Sequence, residues 1–120
     1  MTRVLLAEDN EMIRTYLELI LRDEGFDVVA IGDGQAAWDE FARASHEWHV
    51  VLTDVGMPRL RGDELVRRVH AQSKVPCILM SGSEVLSDVP ARAVLRKPFG
   101  RDELIAALVK VGVASAPTGK

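Results

Sequence analysis

Acidic, hydroxyl and amino side chains stand at the ends of short apolar runs in this sequence. Glu8 and Asp9 follow the first run, Asp54 follows the third, and Ser81 and Lys97 come after two later runs. Carboxylates that converge in a cleft repel one another unless a cation binds or a proton is retained. Hard oxygen ligands without His or Cys favour Mg²⁺ or Mn²⁺ over zinc. If folding gathers these residues, they predict a divalent-cation site.

The segments that carry these residues alternate short apolar runs with amphipathic stretches. The apolar runs predict strands over residues 4–7, 28–31, 50–53, 76–80 and 93–95. Helical spacing of apolar residues predicts helices over 11–24, 34–45 and 62–72 and a last helix through 104–111. Strands that alternate with helices favour an α/β fold with a parallel sheet and helices on both faces. In such a sheet, ligands bind at the carboxyl ends of the strands.

Three further features refine this prediction. The first helix carries an apolar stripe formed by Ile13, Tyr16, Leu17, Ile20 and Leu21. Of these residues, we expect Tyr16, Leu17, Ile20 and Leu21 to pack in the core. Residues 84–91 contain Pro90 and little apolar periodicity, so the helix between the fourth and fifth strands is predicted to be short or missing. We expect one domain over residues 1–113 and a flexible tail over 114–120.

Composition and charge argue against several classes of protein. The 120 residues fit one domain, and 15 Lys and Arg against 18 Asp and Glu give a net charge of -3. That balance argues against direct binding to nucleic acid or to an anionic membrane. The apolar runs are too short to span a bilayer, no signal peptide is visible, and the single Cys77 forms no internal disulfide. We therefore expect a cytoplasmic protein.

In combination, the motifs resemble the receiver domain of bacterial two-component response regulators. The matching residues are Glu8-Asp9, Asp54 with Met57-Pro58 and Gly62, Ser81-Gly82, and Lys97-Pro98-Phe99. The resemblance runs from Arg3 to about Val111. It implies a doubly wound, five-stranded parallel sheet with strand order 2-1-3-4-5.

The resemblance also implies roles for the acidic residues. Asp54 would accept a phosphoryl group from the phosphohistidine of a histidine kinase or a histidine phosphotransfer protein. Asp9, Asp54 and the main-chain carbonyl of Gly56 would bind Mg²⁺ (or Mn²⁺) directly, and Glu8 would hold the ion through water. Exposed positions of the first helix, such as Arg14 or Glu18, would be candidates for contact with the kinase.

The switch residues follow from the same resemblance. Lys97 would pair with a phosphoryl oxygen, Ser81 would turn its hydroxyl toward it, and the Lys97–Pro98 peptide bond would be cis. The family often has a mobile aromatic residue at the position of Val94, and the small, stiff side chain of valine cannot make that movement. The implied protein is a phosphoacceptor rather than an enzyme, and it would switch binding to an unknown downstream protein.

Three alternatives to a phosphorylatable switch without its own output domain stay open. A metal-dependent phosphatase with an aspartyl nucleophile usually carries a second Asp two residues later, where this chain has Gly56. A receiver-like binding module would have lost phosphorylation, against which the intact acidic set argues. The chain could also be the receiver fragment of a larger regulator or of a hybrid kinase.

Overall fold

Strands and helices alternate along the chain, which we describe for residues 2–84, 86 and 88–115 of a computed structural model. The elements are β1 (Arg3–Ala7), α1 (Glu11–Asp23), β2 (Asp27–Ile31), α2 (Gly34–Arg43), β3 (Val50–Asp54), α3 (Gly62–Gln72), β4 (Cys77–Ser81), β5 (Ala93–Arg96) and α4 (Arg101–Lys110). A short 3-10 turn, Ser45–Glu47, stands between α2 and β3. The predicted α/β alternation is confirmed, and the bounds agree within two residues except at the start of α4, which begins three residues earlier than predicted.

The five strands form one parallel sheet in the order β2-β1-β3-β4-β5. In the register, Ala7 at the end of β1 is aligned with Thr53, and Asp54 is aligned with Met80 of β4. Ser81 is in turn aligned with Arg96 of β5. The strands that precede the candidate residues therefore end along one edge of the sheet, and the predicted strand order is confirmed.

Side chains that alternate along each strand divide the core into two layers. In β1, Leu6 packs with buried residues of α1 and α4, whereas Leu5 packs with buried residues of α2 and α3. Both leucines are fully buried. Helices thus cover both faces of the sheet, and the predicted doubly wound architecture is confirmed.

The first helix buries a narrower stripe than its sequence predicts. Leu17, Ile20 and Leu21 are buried, but Ile13 is 36% exposed and Tyr16 is 53% exposed. Ile13 and Tyr16 line an open groove with Pro98 and Phe99. Both residues lie in the first half of α1. The prediction that Tyr16 belongs to the core with Leu17, Ile20 and Leu21 was therefore wrong for Tyr16, because the apolar stripe extends beyond the surface that α1 packs against.

The connection between β4 and β5 is short. Its described residues, which leave out Val85 and Ser87, form no helix, as the sequence predicts. Leu86, Val89 and Ala91 pack instead against the core layer beneath α2 and α3.

Toward the C-terminus, Ala114 packs against the core layer that contains buried residues of α1 and α4. Residues 116–120, most of the predicted tail, lie outside the described residues. Across the part of the chain that we describe, none of the helices is both long and apolar enough to cross a membrane.

Candidate functional site

Three carboxylates meet at the edge where the strands end. One ligand oxygen each from Glu8, Asp9 and Asp54 lies within 4.8 Å of the others. Glu8 and Asp54 are buried, with 1% and 7% of their surfaces exposed, whereas Asp9 faces solvent. Such a set of hard oxygen donors with one solvent-facing member fits Mg²⁺ or a similar ion, which retains several waters when it binds protein. The residues present therefore fit a divalent cation.

Lys97 balances part of this negative charge. Its Nζ lies 3.0 Å from Asp54 Oδ1 and 3.2 Å from Glu8 Oε1. Burial raises the pKa of Glu8, and the nearby charge of Asp54 raises it further. Partial burial alone would lower the pKa of Lys97, but the hydrogen bond to Asp54 and the charges of both carboxylates raise it. The site thus holds a fixed ammonium that faces two carboxylates at once.

The connection between β3 and α3 holds Asp54 in place. The Val55 N–H donates to Asp54 Oδ1 at 2.9 Å, and the Thr53 hydroxyl donates to the Asp54 main-chain oxygen at 2.9 Å. A Cβ at Gly62 would lie only 1.7 Å from that same main-chain oxygen. The Gly62 N–H donates to the Val55 carbonyl at 2.8 Å. Glycine at position 62 therefore allows the start of α3 to pack directly against the backbone of Asp54.

Glu8 is held from the first helix. The Asn10 N–H donates to Glu8 Oε2 at 3.1 Å, and Arg14 Nη1 donates to the Glu8 main-chain oxygen at 2.9 Å. Arg14 and Glu18 are both half-buried, so their expected place on the exposed surface of the helix was wrong. Arg14 thus provides a donor to the main-chain carbonyl that follows β1.

Ser81 is the buried hydroxyl at the end of β4, and it has a partner that sequence reasoning missed. Its Oγ lies 3.3 Å from Oε1 of Glu84, which also accepts from the Gly82 N–H at 2.8 Å. Hydrogen bonds from the backbone of Glu84 itself, from Gly82 and from Ser81 lower the pKa of Glu84. Glu84 was missed because it stands in a connection without periodicity. Its nearness to Ser81, three residues before, was the available signal.

The remaining predicted residues lie around this cluster. The Lys97 N–H donates to the Ser81 carbonyl at 2.8 Å, and the Lys97–Pro98 peptide bond is cis. Gly56 is exposed in the connection after Asp54. Val94 is 49% exposed on β5 and makes no part of the carboxylate cluster.

Comparison with known proteins identifies the family. The family model for the response regulator receiver domain matches residues 4–109. This chain belongs to that family. The match takes in every residue of the carboxylate cluster together with Ser81 and Lys97.

Curated relatives of this receiver domain are regulators of greater length. The sensory transduction protein RegX3 of Mycolicibacterium smegmatis is 34% identical over 88% of this chain and 48% of its own length. The transcriptional regulatory protein PdtaR of Mycobacterium tuberculosis is 36% identical over 88% of this chain and 54% of its own. The receiver domain thus spans about half the length of these relatives.

Solved receiver structures superpose closely. The chemotaxis protein CheY4 of Vibrio cholerae is 30% identical, with a TM-score of 0.81 over 92% of this chain and 98% of its own. The receiver domain of the sensor histidine kinase PA1611 of Pseudomonas aeruginosa is 29% identical, with the same TM-score of 0.81 and the same coverage of both chains. That structure has a magnesium ion coordinated in its active-site cleft.

Proposed function

We propose that this receiver domain accepts a phosphoryl group on Asp54 from a phosphohistidine of a histidine kinase or a histidine phosphotransfer protein. The modification would switch its binding to a downstream protein in the cytoplasm. The observation that supports this most is the arrangement of Asp54 beside Lys97, Glu8 and Asp9 at one sheet edge.

The chemistry would use the two oxygens of Asp54 differently. The Val55 N–H and Lys97 both engage Oδ1, so we assign the attack on phosphorus to Oδ2. A bond forms from Oδ2 to phosphorus as the bond from phosphorus to the imidazole nitrogen breaks, and the imidazole leaves with a proton from solvent. The product is an acyl phosphate.

The acidic residues and Lys97 would provide the electrostatic part of the reaction. Asp9, Asp54 and the main-chain carbonyl of Gly56 would hold Mg²⁺, with Glu8 acting through water, and Mn²⁺ suits the same oxygen donors. The ion would offset the charge on the transferred oxygens. Lys97 would turn from Glu8 toward a phosphoryl oxygen, and the Ser81 hydroxyl would donate to another.

We assign the protein as a phosphoacceptor rather than an enzyme that turns over an external substrate. A phosphatase of the alternative kind would need a carboxylate where this chain has Gly56. The curated relative RegX3 is about twice as long as this chain. The phosphorylated domain would therefore act either on a separate protein or on a fused segment, and we propose no direct contact with nucleic acid.

Intact-mass spectrometry tests the proposal. With phosphoramidate or acetyl phosphate and Mg²⁺, the wild-type chain should gain the mass of one phosphoryl group, and chelation of the metal should prevent the gain. Asp54→Asn should gain none, whereas Asp39→Asn, an exposed aspartate on α2, should behave as wild type. Equal uptake by Asp54→Asn would remove Asp54 from this role.

A further inference from the structure

The carboxylate of Glu84 accepts hydrogen bonds at the end of β4, the strand beside the one that ends at Asp54. A single oxygen, Oε1, accepts from both the Ser81 hydroxyl at 3.3 Å and the Gly82 N–H at 2.8 Å. These two donors, one hydroxyl and one backbone amide, together hold an anionic oxygen. The Ser81 hydroxyl and the Gly82 N–H therefore form a binding site for an oxyanion before any phosphorylation.

The same side chain reaches toward the connection that follows Asp54. A Cβ built on Gly56 would lie 3.7 Å from Glu84 Oε2, and one built on Gly82 would lie 3.7 Å from Oε1. The carboxylate also feels the positive charge of Lys97. Glu84 thus lies between the connections after β3 and β4, within electrostatic reach of Lys97.

We propose that Glu84 is a positioning residue that competes with the phosphoryl group on Asp54 for the Ser81 hydroxyl and the Gly82 amide. This inference rests on the proposed function. A carboxylate and a phosphoryl group are both oxyanions, so they cannot share the same donors without strong repulsion. Phosphorylation adds about 1.5 to 2 negative charges and three acceptor oxygens, which displace Glu84.

Two consequences follow from this competition. Before phosphorylation, Glu84 holds the Ser81 hydroxyl in place and keeps residues 82–84 close to β4. After phosphorylation, Ser81 turns to the phosphoryl group and Glu84 is released to solvent. The phosphorylated state is thereby less stable than it would be without Glu84, and its formation is coupled to a movement of the connection after β4.

Titration with beryllofluoride in the presence of Mg²⁺, followed by amide NMR of the full chain, tests the competition. Glu84→Ala should bind the phosphoryl analogue about three- to tenfold more tightly, because a hydrogen-bonded competitor is removed. Glu84→Gln, which keeps the size of the side chain, should shift affinity in the same direction. Asp88→Asn removes an exposed charge from the same connection and should leave affinity unchanged.

A Ser81→Ala background separates competition from general charge repulsion. The gain from Glu84→Ala should shrink there, because one of the two shared donors is gone, and an equal gain in both backgrounds would overturn the inference. Wild type that binds beryllofluoride while Glu84→Ala binds no more tightly would also overturn it. Failure of wild type itself to bind the analogue would instead contradict the proposed function.

Discussion

At the scale of single residues, the site is a cluster of like charges that the Lys97 ammonium partly compensates. Glu8 and Asp54 are buried beside each other, and the Lys97 ammonium lies within 3.2 Å of both. Like charges held this close in a partly buried site raise the free energy of the folded protein. A bound cation would offset this repulsion, and without it the repulsion lowers the stability of the folded protein.

Substitution of Glu8 measures how much this repulsion and burial lower the stability of the fold. The pKa of Glu8 is raised by burial and by Asp54, so its ionised form destabilises the fold at neutral pH. This contribution weakens as pH falls through the raised pKa, because the folded protein then holds the proton more tightly than the unfolded chain does. Glu8→Gln should therefore raise the melting temperature of the metal-free protein at neutral pH by a few degrees, and the gain should shrink in acid.

Thermal unfolding in a chelator measures this effect, with Glu11→Gln at an exposed position of α1 as the matched control. The same Glu8→Gln protein should lose part of the stabilisation that Mg²⁺ gives to wild type. A lower melting temperature for Glu8→Gln in the chelator would show that its ion pair with Lys97 outweighs burial.

The site residues that the sequence predicts are placed by the strands, whereas those that it does not predict are placed by hydrogen bonds to main-chain atoms. Glu8, Asp9, Asp54, Ser81 and Lys97 follow strands, so their meeting follows from a parallel sheet once the strand order is known. Arg14 bonds to a main-chain carbonyl, and Glu84 bonds to a backbone amide as well as to Ser81. The positions of those main-chain atoms depend on the paths of the connections after β1 and β4. The periodicity of the sequence does not predict those paths.

At the scale of elements, the connection from β3 to α3 is held tightly at several points. Besides the contact of Gly62 with Asp54, a Cβ at Gly34 would lie 1.8 Å from the Leu60 carbonyl oxygen. Arg59 has a φ of 70°, and its side chain pairs with Asp33 at 3.0 Å. The start of α2 and the start of α3 therefore fix this connection from both ends, and with it the orientation of Asp54.

Gly62→Ala tests this fixation. The added Cβ would meet the Asp54 main-chain oxygen, and relief of that overlap must move α3 or Asp54. We expect a loss of about 3 kcal/mol in the free energy of unfolding, together with slower phosphoryl uptake. Denaturant unfolding and the mass assay measure the two effects.

Gly56→Ala in the same connection is the control for stability, because a Cβ there would make only an ordinary contact at 3.7 Å. Equal stability of Gly62→Ala and Gly56→Ala would contradict the proposed packing of α3 on Asp54.

Helix and strand positions were predictable because periodicity and caps agree. Asn10 and Asp33 cap the starts of α1 and α2, where their side chains accept hydrogen bonds from the N–H groups of Ile13 and Ala36. The extent of burial was less predictable. Ile13 and Tyr16 share the apolar stripe of α1, yet what covers a stripe depends on the neighbouring connection rather than on the helix itself.

At the scale of the whole molecule, one sheet joins two core layers. Leu104 of α4 is fully buried in one layer, and Phe41 of α2 is fully buried in the other. Since every strand of β1 to β5 belongs to the same sheet, we expect both layers to unfold together. The site lies at the sheet edge between the layers, and its geometry depends on both.

Leu104→Ala tests this cooperativity. Loss of a fully buried leucine should lower the free energy of unfolding by about 2 to 5 kcal/mol while a single transition is kept. Leu19→Ala, at a leucine that is 63% exposed, should have a small effect. Calorimetry that resolved two transitions in Leu104→Ala would show that the layers unfold separately.

Localisation of the phosphoryl group tests the central claim most directly. The chain is phosphorylated with phosphoramidate and Mg²⁺, the acyl phosphate is reduced with borohydride to convert the modified aspartate to homoserine, and the peptides are sequenced by mass spectrometry. The account predicts homoserine at position 54 alone. Homoserine at position 9, or none in a chain that has gained phosphate, would contradict it.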